Sequence, residues 1–342
     1  MNEYLWDGSG QPDPEIQHLE NLLATYRSRR PAPVWPEPAS ALAWFRLPSR
    51  WSPLAPVSAL AALAVASLMI IRQPALPPSG PSWQVSRVKG SPILGAAALR
   101  GTGLLTVGEP LATDSQSQAT LNIASVGELR VEPDTRLHVI QSSTTRQYLA
   151  LDRGTIHAMI WAAPGRFVVQ TPSATAVDLG CAYTLRVNPD GAGLIEVTFG
   201  WVGFRHGGRE SFIPEGALCA TRPHIGPGTP YAEDAPPRLR DALAAFDFGN
   251  PGLQAGQLRV ILAAARRSDA LTLWHLLSRT GGAERTAVYD RLAAYLPPPA
   301  GVTREGILAG DARMRDLWWN SLGYGNMSWW RIWERNWENP GR

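Results

Sequence analysis

Lysine is almost absent from this chain. Of its 32 basic residues only Lys89 is a lysine, and the arginines are interspersed with 29 acids rather than gathered into a stripe. A net charge of +3 spread over 342 residues gives no basic face, so nucleic-acid binding is not indicated. Cysteine is nearly as scarce: Cys181 and Cys219 are the only two, and with six histidines they form none of the paired spacings of a zinc site. There is no Gly-x-Ser-x-Gly elbow. The glycine-rich stretches fall in expected hairpins and linkers rather than between a strand and a helix N-terminus, which leaves no phosphate cradle. A nucleophilic cysteine would need a histidine base, and no nucleophile motif surrounds His206 or His224. No catalytic, cofactor-binding or metal-binding residue is therefore assigned, and the chain does not read as an enzyme.

Long uncharged runs are also missing, with one exception. Leu54 to Ile71 (LAPVSALAALAVASLMII) carries no charge and is bracketed by Arg50 and Arg72. At about 1.5 Å per residue, a helix of this length reaches roughly 27 Å, enough for a bilayer core of about 30 Å. The run predicts a single transmembrane helix over residues 53–72, the alternative being a buried alanine-rich core helix. Fifty mostly polar residues precede it, so a signal peptide fits poorly. Flanking charge leaves the orientation open, since Arg46 and Arg50 on one side are balanced by Arg72, Arg87 and Lys89 on the other.

The run divides two unlike regions. In residues 1–52, Asp13 suits an N-cap and Pro14 the first helical position. Ile16, Leu19, Leu22, Leu23 and Tyr26 then recur at helical spacing, which predicts an amphipathic helix over 13–26. A helix so short is marginal alone in water, so its apolar stripe needs a partner or a lipid surface. Residues 73–82 form a proline-rich linker. From Trp83 the period becomes two: Ala119, Leu121 and Ile123 alternate with Thr120 and Asn122, and Ile195, Val197, Phe199 and Trp201 alternate with Glu196, Thr198 and Gly200. Turn residues separate roughly a dozen short strands, which predicts a mainly β domain of antiparallel sandwich or solenoid type over 83–225. Residues 226–342 return to helical periodicity, with helices expected over 239–246, 258–279, 284–296 and 311–322.

The β region resembles the FecR family. The resemblance is carried first by VGEPLATDSQSQATLNIASVGELRVEPDTRLHV, where the pattern falls on Gly108, Leu111, Thr113, Ala119, Leu121, Gly127, Pro133, Thr135 and Leu137. It continues through Gly154, then Phe167, Val169, Thr171, Pro172 and Gly180, and closes on VTFGWVGF with Gly200. Two departures are Cys181, where the family usually has Thr, and a tryptophan-rich helical C-terminal region in place of the signalling subdomain of the iron-uptake regulators. The resemblance implies a single-pass protein of the bacterial inner membrane with its N-terminus in the cytoplasm. Its short tail would bind a sigma factor or other cytoplasmic regulator, with Ile16, Leu19, Leu22, Leu23 and Tyr26 as the contact stripe, and its β domain would sense a signal outside. The second reading is an envelope scaffold that grips glycan or another protein, the N-terminus serving only as an anchor.

Outside the membrane an oxidising compartment would let Cys181 and Cys219 pair, so a disulfide and two independent buried thiols both remain open. His138, His157 and His275 are expected to be structural. Trp318, Trp319, Trp329, Trp330, Trp333 and Trp337 crowd the C-terminus, with Trp329, Trp333 and Trp337 on one helical face. That face must be covered by the helical body, by a lipid interface, or by a glycan or protein partner.

Overall fold

The structure, a computed structural model, describes residues 83–327. The amphipathic stretch 13–26, the uncharged run 54–71, the linker, and Trp329, Trp330, Trp333 and Trp337 lie outside the described residues. Among the described residues no helix is long and apolar enough to cross a membrane.

The fold is mixed: a large β domain followed by a helical region. The strands are β1 (Trp83–Lys89), β2 (Ile93–Leu94), β3 (Ala97–Ala98), β4 (Thr102–Leu105), β5 (Pro110–Ala112), β6 (Gln118–Ile123), β7 (Gly127–Val131), β8 (Arg136–Ser142), β9 (Gln147–Ile160), β10 (Phe167–Gln170), β11 (Thr175–Asp178), β12 (Ala182–Val187), β13 (Gly193–Phe199), β14 (Trp201–His206), β15 (Arg209–Pro214), β16 (Ala217–Arg222), β17 (Gly226–Pro227) and β18 (Tyr231–Ala232). One sheet runs β4-β1-β6-β7-β9-β12-β13-β16, with β17 and β18 along its far edge. The other runs β3-β2-β5-β8-β9-β10-β11-β14-β15. All these pairings are antiparallel except β9 with β10. The expected alternation is realised in β6, where Ala119, Leu121 and Ile123 are fully buried and Asn122 is exposed.

Strand β9 belongs to both sheets. Residues from Gln147 to Arg153 pair with β8, and residues from Gly154 to Ile160 with β12. The transfer happens at Gly154, whose φ of +97° suits glycine. A Cβ at this position would fall 2.3 Å from the Thr135 Cα. Thr135, itself buried, uses the space: its Oγ1 accepts the Thr155 N–H at 2.9 Å, while the Thr113 Oγ1 accepts the Thr135 N–H at 2.9 Å. Two threonines and a glycine thus satisfy the backbone where the strand turns the corner.

The helical region comprises α1 (Pro237–Phe248), α2 (Gln254–Ala264), α3 (Ala270–Arg279), α4 (Gly282–Tyr295), α5 (Arg304–Ala309) and α6 (Ala312–Trp319). The single helix expected over 258–279 is two. Ala265 and Arg266 are extended, and the buried Asp269 carboxylate accepts the Arg266 N–H at 2.8 Å, so a new helix is capped before the old one can continue. Arg266 also reaches Asp234 through both terminal nitrogens. Helix α5, absent from the expected set, is capped by Thr303 and closed by left-handed Gly310.

Helix α3 is the joint between the two regions. Its residues from Leu271 to Leu277 are all buried. It covers β15, which pairs with β14 and so presents an edge. The Phe212 N–H of that edge donates to the His275 Nε2 at 3.0 Å, and the His275 Nδ1 bonds the Leu271 carbonyl at 2.9 Å. Both ring nitrogens are engaged, and burial, with Arg279 adding to it, holds His275 well below the usual histidine range. At the end of α3, Arg279 donates to the Asp247 Oδ1 at 2.9 Å, to the Ser211 Oγ at 2.6 Å and to the Gly228 carbonyl at 2.9 Å. Arg209 of β15 meets the same carboxylate, and the Thr229 N–H donates to its Oδ2 at 2.6 Å. Trp319 of α6 fills the remaining space, its ring 4.8 Å from Trp274, 5.7 Å from Phe212 and 5.3 Å from Trp201.

Two substitutions, with a third as a control, test these joints in the region from residue 83 onward. Gly154→Ala combines a left-handed backbone with a backbone clash and should cost more than about 3 kcal/mol in urea denaturation. Gly208→Ala, left-handed but open, should cost about 1 kcal/mol. Asp247→Ala leaves two guanidiniums facing each other across a buried site and should cost about 3 to 5 kcal/mol, with α1 and α3 becoming the first segments cut in limited proteolysis.

Candidate functional site

A β-sheet that buries one face and leaves the other open should carry polar residues outside. The outer face of the first sheet departs from this. Glu128 of β7, Met159 of β9, Ala182 of β12 and Phe199 of β13 stand directly opposite one another in a row across four strands. Met159 is 62% exposed, Phe199 64%, and Trp161, two residues beyond Met159, 56%. The neighbouring row is polar: Arg130, His157, Thr184 and Glu196. There the His157 Nδ1 shares a hydrogen bond with the Thr184 Oγ1 at 2.9 Å, and its Nε2 lies 3.3 Å from Glu132. Glu128, Met159 and Ala182 of the first row and Arg130, His157 and Thr184 of the second line a groove of about 530 Å³.

Phe199 faces outward because of a bulge. Ala182 pairs with Phe199 while Tyr183 pairs with Val197, so Thr198 is unpaired in the ladder and its hydroxyl donates to the Ala182 carbonyl at 3.1 Å. The extra residue reverses the phase of the strand, and the inward alternation expected through Phe199 stops at Val197. Gly200, with a φ of +72°, then carries the chain into β14, passing so close to Gly180 that a Cβ would meet its carbonyl at 2.3 Å.

Gly180 lies in a turn that links β11 to β12 under the end of the apolar row. The Asp178 Oδ1 accepts the Gly180 N–H at 2.7 Å, and its Oδ2 accepts the Cys181 thiol. Asp178 is buried, and burial raises its carboxyl to about 7 against the opposing pull of these hydrogen bonds. Burial also pushes the Cys181 thiol up, with Asp178 adding to it, so Cys181 is a neutral group rather than a nucleophile. Cys219 sits on β16 opposite Ile195, its thiol donating to the Gly228 carbonyl at 3.2 Å, and burial pushes it up to about 12. No disulfide joins the two. Cys181 adjoins the Phe199 end of β13 and Cys219 lies across that strand from Ile195, so strand spacing and rise separate the Cα atoms by more than about 10 Å, beyond the reach of a bridge. They are two independent buried thiols.

Among the described residues, no three His, Cys, Asp or Glu side chains converge as a metal site. The face offers an apolar stripe, mixed charge beside it and no paired nucleophile and base. Exposed apolar rows of this kind mark contact surfaces. The residues that single out this region in the sequence lie elsewhere in the fold: Thr113, Thr135, Gly154, Gly180 and Gly200 hold turns and corners. A match to the family described as FecR protein covers residues 109–203, from before β5 to within β14.

The chain carries a FecR domain. The family is non-enzymatic. Sequence reasoning found the corners of the FecR domain but not Met159 or Phe199, because the bulge that exposes Phe199 leaves no mark in the alternation. Asp178 had a signal, an acid two residues before a glycine, which is the pattern of an Asx turn. The expected stripe of Ile16, Leu19, Leu22, Leu23 and Tyr26 lies outside the described residues.

No curated protein matches the chain. Two solved structures of a candidate anti-sigma factor from Parabacteroides distasonis ATCC 8503, at 1.65 and 2.50 Å resolution, are similar at 13% identity. Each match covers 39% of this chain, at a TM-score of 0.33, so the fold rests on its own strands and not on the likeness. The chain spans 63% and 62% of the length of those two chains.

The buried carboxyl makes a pH prediction. Its pKa is raised on folding, so the native state binds the extra proton, and stability present at acid pH is lost as the pH rises toward about 7. Asp178→Asn removes that proton exchange. The variant should lie nearest the parent in melting temperature at pH 5, gain on it up to about pH 7 and hold that gain at pH 8; parallel curves between pH 5 and 7 would refute the assignment.

Proposed function

We propose that this protein is a membrane-anchored, signal-transducing regulator. Its FecR domain and helical region sense a signal outside the inner membrane, and its N-terminal tail of residues 1–52 binds a sigma factor in the cytoplasm. The observation that carries this reading is the order along the chain: a FecR domain at 109–203 preceded by the uncharged run 54–71 and, before that, by an amphipathic stripe in need of a partner. A lone helix with such a stripe binds another helix groove or surface economically, as regulatory tails do. In the domain, α3 joins the helical region to β15 through Arg279, Asp247 and His275, so the two regions can answer a signal as one body.

The second reading, an envelope scaffold holding glycan or another protein, is favoured by one feature, the exposed row of Met159, Trp161 and Phe199. One experiment separates the two. A chain lacking residues 1–30 should stay in the membrane, lose co-purification of a sigma factor from the native host and change transcription. Unaltered transcription together with retained binding to cell-wall material would support the scaffold and sink the regulator.

A further inference from the structure

The two rows of the outer face continue beyond β7. Asn122 of β6 stands opposite Glu128 and Gln84 of β1 opposite Asn122, while Thr120 stands opposite Arg130 and Ser86 opposite Thr120. Side by side, the rows therefore cross β1, β6, β7, β9, β12 and β13. They lie about 6.8 Å apart along the strands and carry one residue each per strand spacing of about 4.8 Å. Their chemistry changes along the way. Toward β1 the side chains are amides and hydroxyls without charge, whereas toward β13 Met159 and Phe199 stand exposed on either side of the small Ala182. Each of these strands is paired on both sides, so its backbone groups are spent and the face offers side chains only.

We propose that this face binds an uncharged, extended glycan of β-1,4-linked pyranose units laid across the strands. Its ring faces rest on Met159, Ala182 and Phe199, and its hydroxyls meet the row of Arg130, His157 and Thr184. Such binding would supply the signal of the sensing reading, and it rests on that reading only in placing the domain outside the inner membrane, where glycans of this kind occur. One unit of such a chain advances by close to one strand spacing, so each ring meets a new strand and one side chain from either row. A pyranose presents a face of C–H groups and a rim of hydroxyls that both donate and accept. Met159 and Phe199 suit the first, and a row holding donors and acceptors together suits the second. The charges agree. Glu128 and Glu196 share the face with Arg130 and Arg186, and Glu132 is already engaged by His157 at 3.3 Å and by the Gln118 amide at 2.7 Å, so the ligand needs no charge of its own. The polar row is also ordered in advance, because Thr184 and Glu132 hold the two ring nitrogens of His157. An extended peptide fits less well, since it binds a sheet by adding to an edge and these strands have none free.

The test titrates the full chain, purified in lipid nanodiscs, by calorimetry. The probes are chitohexaose and cellohexaose, which are straight β-1,4-linked hexamers, and maltohexaose, whose α-1,4 links coil it. At least one straight hexamer should bind with a dissociation constant of about 1 mM or below, and maltohexaose about tenfold more weakly. Phe199→Ala and, separately, Met159→Ala should each weaken that binding about tenfold. Both side chains are more than half exposed, and an unchanged melting temperature checks that the fold is kept. Leu253→Ala, at an exposed position of the helical region, should leave the affinity as it is. No binding of either straight hexamer, equal binding of maltohexaose, or binding that both Phe199→Ala and Met159→Ala leave intact would overturn the assignment. Pairing of two chains that either variant abolishes would overturn it too, by making the face a self-interface. The titration involves no sigma factor, so its failure leaves the regulator standing, and a failure of the regulator leaves the titration unchanged.

Discussion

Strand β9 can serve two sheets only if the chain turns at Gly154 without leaving a backbone group unpaired, and Thr135 makes that turn possible. The hydroxyl of a threonine fills the space a side chain at 154 would need, and accepts the N–H that the turn would otherwise strand. From this corner follow the register of β7, β9 and β12 on one side and of β8, β9 and β10 on the other. The apolar row on the outer face inherits its alignment from the same corner, since Met159 lies five residues along the strand.

The helical region depends on a second device of the same kind. An edge strand is a liability unless something covers it. Here α3 does so with polar groups in register, His275 for the Phe212 N–H and Arg279 for the Ser211 hydroxyl and the Gly228 carbonyl. Asp247 offsets the cost of burying Arg279, and it comes from α1, so three parts of the chain must be placed before the charge is compensated. Such an arrangement favours one docking geometry over many apolar alternatives.

Much of this was legible in the sequence, and the failures have physical causes. Alternation in Ala119, Leu121 and Ile123 identifies β6 because one face of that strand is buried and the other is wet. The same rule placed Phe199 inside, and failed because a bulge one residue long changes the phase without changing the composition. The long helix through Ala265 failed because propensity is a local average, whereas the cap formed by Asp269 on Arg266 decides the break with one carboxylate. The cysteine pair could not be resolved from spacing, since β13 and the register offset between Cys181 and Cys219 come from tertiary pairing. Trp318 and Trp319 are buried in the core.

A strand shared by two sheets also governs what deformation the domain allows. In a sandwich whose layers meet only through side chains, one sheet can slide over the other by repacking, and a small push at one end dissipates in the middle. With β9 covalently continuous through both layers and α3 bolted to the edge of one, sliding would have to break the backbone pairing at Gly154. Relative sliding of the two layers at that corner is therefore resisted by backbone hydrogen bonds and not by side-chain packing alone.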